Sequence, residues 1–199
     1  MTSPYPSLAI NLDLPFLEAA MPLLEAGEVH AAEWSFDSLY KHQNIPNWFE
    51  GLLKEFSDAK RLIGHGVFFS IFNAAWSPQQ SDWLTQLEKK AKLLSFQHVT
   101  EHFGFMSGPD FHKGAPLPVP FNSSFLAIGQ DRLQRIAQAA QCPVGLENLA
   151  FSYSLEAVKE QGKFLQALLQ PVNGFIILDL HNIYCQLHNF RLAFDELMA

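Results

Sequence analysis

Hydrophobic and polar positions along this chain switch repeatedly between two periods. Short apolar or alternating runs of strand type occur at Leu8–Leu12 (LAINL), Val29–Trp34 (VHAAEW), Leu62–Phe69 (LIGHGVFF), Phe96–Phe103 (FQHVTEHF), Val144–Asn148 (VGLEN) and Phe175–Leu180 (FIILDL). Longer stretches between them repeat apolar residues three and four apart, the helical spacing. PNWFEGLLKEF sets Phe49, Leu52, Leu53 and Phe56 on one face, and SDWLTQLEKKAKLL does the same with Trp83, Leu84, Leu87, Ala91 and Leu94. SFLAIGQDRLQRIAQAA and SLEAVKEQGKFLQALL follow the same pattern. DLPFLEAAMPLLEAG has Pro15 near its start and Gly27 past its end, the asymmetry of a helix, while Pro22 inside it predicts a break or a kink.

Strands alternating with helices predict right-handed βαβ units and a parallel sheet. Neither GxGxxG nor GxxxxGK[ST] is present, which favours a barrel over a nucleotide-binding open sheet. A complete (β/α) barrel takes about 250 residues. This chain has 199 and reaches FRLAFDELMA in what reads as the helix after strand six. The expectation is an α/β fold, a TIM-type (β/α) barrel that is incomplete, with residues 1–199 forming one domain of about six of the eight units. Such a remnant exposes two strand edges, to be covered by further chain, by a partner or by self-association.

Composition narrows the function. Hydrophobic residues make up 48% and charged residues 17%, enough for a sizeable core. The net charge of −7 argues against a general nucleic-acid binder, which needs a basic stripe. No apolar run reaches the roughly 18 residues of a membrane span, and the N-terminus lacks a basic-then-apolar signal, so a cytoplasmic location is expected. Two cysteines, Cys142 and Cys185, cannot make a disulfide framework. Cys185 has no histidine partner at a diagnostic spacing and reads as a buried, inert thiol. His42 and His188 read as surface residues, and His112, in GPDFHKGAPLPVP, as a loop residue.

The strand ends carry the candidate chemistry, because in such folds catalytic groups sit where strands pass into βα loops. Strand two offers His30 and Glu33, and strand three His65 in GHG. Strand four offers His98, Glu101 and His102. Strand five supplies Glu147 and Asn148, and strand six Asp179, His181 and Asn182. Imidazoles, carboxylates and amides dominate, with no Lys or Arg. That is the ligand mix of Zn, Mn or Fe, and an anionic pocket without cations calls for a metal to neutralise it. Each residue also has an ordinary reading: His65 as a satisfied core histidine, Asp179 as a helix N-cap, His98 packed under the barrel.

IGHGVFFS, VTEHFGF, APLPVPFN, VGLENLAFSY and FIILDLHNIYCQLHNF occur in this order and at suitable intervals. Together they resemble the multinuclear non-heme iron-dependent oxidase family, which includes the enzyme of methanobactin biosynthesis. EVHAAEWSF resembles that family's second-strand motif. The resemblance implies a barrel shaped like xylose isomerase, with two or three iron ions at the strand ends and Mn or Zn as the alternative. It implies oxygen-dependent modification of residues such as Cys in a ribosomally made precursor peptide, often presented by a small partner protein. By motif, the metal ligands it implies are His65, Glu101, His102, Glu147, Asp179 and Asn182, with Glu33, His98, Asn148 and His181 as supporting or further candidates. Three departures stand out. Leu149 follows Asn148 where the family has proline, His181 stands where it has asparagine, and the ligand-bearing last strands of the family are missing. The alternatives are a divalent-metal sugar isomerase or epimerase, a phosphodiesterase, or a truncated, non-catalytic remnant on the same architecture.

Overall fold

The computed structural model describes residues 5–38, 45–108 and 111–198. The strands are β1 (Ser7–Ile10), β2 (Ala31–Trp34), β3 (Leu62–Gly66), β4 (Phe96–His102), β5 (Phe105–Gly108), β6 (Phe111–Leu117), β7 (Val144–Glu147) and β8 (Phe175–Ile177). Six of them form one sheet in the order β1-β2-β3-β4-β7-β8, with every neighbouring pair parallel. Space order follows chain order without a reversal, which is the winding of a barrel wall rather than of a doubly wound sheet. The six predicted strands are all present. Among the described residues β1 and β8 do not pair with each other, so the barrel is not closed.

The helices are α1 (Leu14–Glu25), α2 (Asn47–Asp58), α3 (Pro78–Leu93), α4 (Ser123–Ala140), α5 (Leu155–Leu169), α6 (Leu180–Phe190) and α7 (Phe194–Met198). Local chemistry sets their starts. Asp13, Ser77, Asn122 and Ser154 each accept a hydrogen bond from a backbone N–H of the first turn, and Ser77 with Gln80 forms a full capping box. Gly27, at φ +69, turns the chain after α1. Of the expected break or kink at Pro22 the break does not occur: helix α1 runs on through it, and the Pro22 carbonyl accepts from Ala26 N.

Strand register sorts the side chains onto two faces. Adjacent strand residues point opposite ways, and register partners in a parallel sheet point the same way. One face carries Ala32, Trp34, Leu62, Phe96, Val99, Phe103, Val144 and Leu146, and it packs on Phe49, Leu53, Leu87, Leu133, Ile136, Leu165 and Leu168 of the helices. This is the core. The opposite face carries Glu33, His65, Thr100, His102 and Glu147, linked by the pairings His65↔Thr100 and His102↔Glu147. The polar strand ends thus line the inner wall of the partial barrel.

Two segments depart from the sequence expectation. GPDFHKGAPLPVP, read as a loop, contributes strand β6, so His112 lies in a strand. The β5–β6 hairpin is a two-stranded sheet apart from the main one, so β6 is an edge strand, where a proline such as Pro116 is tolerated. It is tied to the loop after β3 by Ser70, whose Oγ accepts from Met106 N (2.9 Å) and Ser107 N (3.2 Å). The second departure is FIIL, whose unbroken apolar run marks a buried strand. It is half open, with Ile176 41% and Leu178 45% exposed, because β8 is the edge of the sheet. His42 lies outside the described residues.

Candidate metal centre

At the carboxyl ends of β3, β4 and β7, three predicted residues converge on the inner face. His65, His102 and Glu147 offer ligand atoms all within 4.8 Å of one another. His65 Nε2 lies 3.6 Å and His102 Nδ1 3.3 Å from Glu147 Oε2. Nitrogen and oxygen donors at bond lengths of about 2.0–2.2 Å from a tetrahedral ion stand about 3.4 Å apart. The observed separations match that spacing.

The protonation pattern fits a cation as well. Burial, reinforced by the neighbouring His102 charge and only partly offset by Glu147, lowers the His65 pKa to about 4, so the imidazole is neutral at ordinary pH. Its Nδ1 lies 2.9 Å from Thr100 Oγ1, and that hydroxyl in turn donates to the Gly64 carbonyl (3.4 Å). Thr100 therefore accepts from Nδ1–H and leaves the Nε2 lone pair free toward Glu147. Burial pushes the Glu147 carboxyl up, yet the hydrogen bond and charge of His102, the charge of His65 and a hydrogen bond with Asp179 outweigh it and leave the group below its ordinary value. Glu33 is raised, first by burial and then by the Glu147 charge. Among the described residues no Lys or Arg pairs with Glu147, whose ion partners are the two imidazoles.

Thr100 was missed in the sequence, although its place two residues before His102 puts it on the same face. Replacing it by valine keeps the volume and removes the acceptor for His65. We expect metal affinity to fall about 10- to 100-fold in Thr100→Val, the usual cost of losing the partner that orients a histidine ligand, as read by competition with a chromogenic chelator.

The other predicted residues are placed differently. Asn182 donates from Nδ2 to Glu147 Oε1 (3.0 Å) and to the Asn148 carbonyl (2.8 Å), so it holds Glu147 in place. Asp179 caps α6, its Oδ1 accepting from Asn182 N (2.8 Å). The helix begins immediately after β8, earlier than the expected one at FRLAFDELMA. Asn148 clasps β7 to β8: its side chain accepts from Asp179 N (2.6 Å) and donates to the Asp179 carbonyl (3.2 Å). Leu149 donates its N–H to Gln161 Oε1 (3.1 Å), a bond that a proline at this position could not make. His98 shares the inner face but sits four residues before His102, about 13 Å down the strand, with its ring against Phe175 at 4.9 Å. His30 stacks on Tyr5 (4.2 Å) ahead of β2. His181 and His188 are both exposed on α6.

Glu101 is not brought into the cluster. Next to His102 on a strand, it must face the other way, and it is buried between the sheet and α3, 1% exposed. Its Oε2 accepts from His102 N (3.0 Å), while among the described residues no hydrogen bond of good geometry reaches Oε1, although the Phe69 N–H is close enough to favour the charged form. Burial first, then the charge of Asp37, raises its pKa well above the ordinary 4.5. Asp37, also unforeseen, accepts from Val67 N (2.7 Å), Phe68 N (2.8 Å) and Trp83 Nε1 (2.9 Å), fixing the loop that follows His65. Because native Glu101 keeps a proton that the unfolded chain releases above pH 4.5, its stabilising effect is complete below that pH and fades as pH rises toward the folded value. Glu101→Gln should therefore gain stability relative to the parent as pH is raised, by up to about 1.4 kcal/mol per pH unit, measured by urea denaturation at about pH 5 and about pH 8.

Residues 19–199 match the family model described as "RiPP precursor modification enzyme MbnB/TglH/ChrH". The chain belongs to this family. Relatives include a UPF0276 protein of Acaryochloris marina, 24% identical over 193 residues, covering 89% of this chain and 68% of that protein. A UPF0276 protein of Shewanella sediminis is 24% identical over 131 residues, covering 66% of this chain and 46% of its own length. The chain spans less than half the length of the Shewanella relative and about two thirds of the Acaryochloris one. Among solved structures, an L-ribulose 3-epimerase superposes with a TM-score of 0.53 at 13% identity, over 90% of this chain and 59% of the other. That likeness shows the fold. No helix among the described residues is long and apolar enough to cross a membrane.

Proposed function

We propose that this chain carries part of the metal centre of a peptide-modifying oxidase, with iron as the metal and a residue such as Cys in a ribosomally made precursor peptide as the target. The observation that carries the reading is the convergence of His65, His102 and Glu147 at metal-ligand spacing, in a chain whose family is that of RiPP precursor modification enzymes. Bound iron would supply oxygen activation and redox chemistry, which the side chains here cannot. His65 and His102 would bind it as neutral imidazoles and Glu147 as the anion. Thr100 holds His65 in the right tautomer, Asn182 holds Glu147, and Asp37 fixes the loop that follows His65. Asp179, whose carboxyl reaches Glu147, is the further anion available when more than one ion binds. Glu33 adds a third carboxyl at this end of the sheet.

The decisive experiment is elemental analysis of the protein purified without oxygen and without added metal. Iron near one equivalent or more, lost in His65→Ala and His102→Ala, supports the reading. Oxygen-dependent mass change in a Cys-bearing peptide would then establish the reaction. A folded, metal-free protein that takes up no iron on reconstitution would overturn it.

A further inference from the structure

We propose that this chain pairs with a second copy of itself through helix α1 and the adjoining edge strand β1. Strand β1 is one edge of the main sheet, and α1 follows it directly. The helix sequence, LPFLEAAMPLLE, has only two polar residues, Glu18 and Glu25. At about 100° per residue they fall about 20° apart and make one narrow polar strip. Leu17 and Ala20 are buried, and half-buried Leu24 continues their strip against the core. About 80° to either side of that strip stand Leu14 with Met21 and Phe16 with Leu23. These four are 41–52% exposed. A helix that is apolar nearly all round is one that is buried on more than one side, yet the single chain packs α1 on one strip alone. The Phe16–Leu23 flank lies nearly opposite the glutamates. There Leu23, with Leu8 of β1 and Val29, lines a cavity of about 440 Å3.

Surface area points to a second copy as the occupant. The chain exposes 11495 Å2. A compact monomer of its mass, 22.5 kDa, exposes about 9,500 Å2. The excess of about 2,000 Å2 falls within the roughly 1,000–2,500 Å2 that each subunit gives to an obligate dimer. A two-fold contact needs only one self-complementary patch. Here it sets Phe16 and Leu23 of each copy against the same flank of the other, with Glu18 and Glu25 turned away toward water. A lipid surface fits this helix poorly. Helices that lie on membranes carry Lys and Arg on their polar face, and residues 1–40 contain neither. The contact is independent of the His65–His102–Glu147 cluster, which lies on the inner face at the carboxyl ends of β3, β4 and β7.

The test is sedimentation equilibrium of the full chain at micromolar concentration, with a chelator present so that no metal bridges two copies. We expect a mass twice the 22.5 kDa of one chain. Phe16→Glu and Leu23→Glu should each weaken association about 30-fold or more, because an unpaired carboxylate would enter the contact. Their circular dichroism should match that of the parent, since both side chains are exposed in the single chain. Leu180→Glu, which alters an exposed residue beside the opposite edge of the sheet, should leave the mass unchanged. In urea the parent midpoint should rise with chain concentration, and that of Leu23→Glu should not. A monomeric parent overturns the proposal. So does a dimer indifferent to both α1 substitutions, or one that Leu180→Glu dissociates.

Discussion

Glu147→Ala should strip the protein of its metal, with content after anaerobic purification falling to about a tenth of the parent value or less. Glu147 is the anion that both imidazoles face, at 3.6 and 3.3 Å, and neither histidine has another carboxylate at ion-pair distance among the described residues. Removing it takes away one of three donors and also the negative charge that makes two adjacent imidazoles tolerable beside a divalent ion. The fold should survive, because the core lies on the other face of the sheet and Asn182 keeps its bond to the Asn148 carbonyl. The comparison is metal content against the urea midpoint, with Glu33→Gln as a variant that leaves the three donors in place. Wild-type metal content in a folded Glu147→Ala protein would show that the cluster does not bind metal.

Gly66→Ala should cost about 3 kcal/mol of stability, the upper end for overfilling a packed interior. A Cβ at Gly66 would overlap the Glu101 carboxyl and come within 2.9 Å of Trp83 Cζ2. Neither can give way cheaply. Glu101 is 1% exposed and tied to His102 N, and the Trp83 indole is bound to Asp37. Urea denaturation reads the loss directly, and the double variant Gly66→Ala with Glu101→Ala should recover part of it by vacating the space. No loss in the single variant would mean that the outer face is loosely packed at this point. The result also bears on the two glycines that flank His65 in GHG. They make room on the opposite face, for Val99 and Phe96 against Gly64 and for Glu101 against Gly66.

Much of the architecture was legible because the signal was periodic. Six strand runs, five helical stretches and the barrel-like order follow from apolar spacing and from the absence of phosphate-loop glycines. Glu101 shows how a motif can mislead. TEH was read as supplying two ligands, but neighbouring residues of a strand face opposite ways, and choosing His102 should have placed Glu101 outside and Thr100 inside. The start of α6 was hidden because Asp179 and Asn182 are equally good caps and ligands, and with it the contact of Cys185 Sγ with His181 Nε2, 3.6 Å away one turn along the helix. The β5–β6 hairpin carries two prolines and two glycines, which local propensity assigns to loops, and it is held by Ser70 from a distant segment. The exposure of β8 depends on what lies beside it, which its own apolar sequence does not encode.

The clasp between Asn148 and Asp179 has a consequence for motion. Strand β8 is three residues long, paired on one side and half exposed, so β8 with α6 should be the part of the sheet that opens at the least free energy. Opening it breaks the Asn182 bond and frees the Glu147 carboxylate. An ion held by Glu147 would resist that release, so occupancy of the centre and slow amide exchange along α6 become two readings of one equilibrium. The wall that frames the centre is also its gatekeeper.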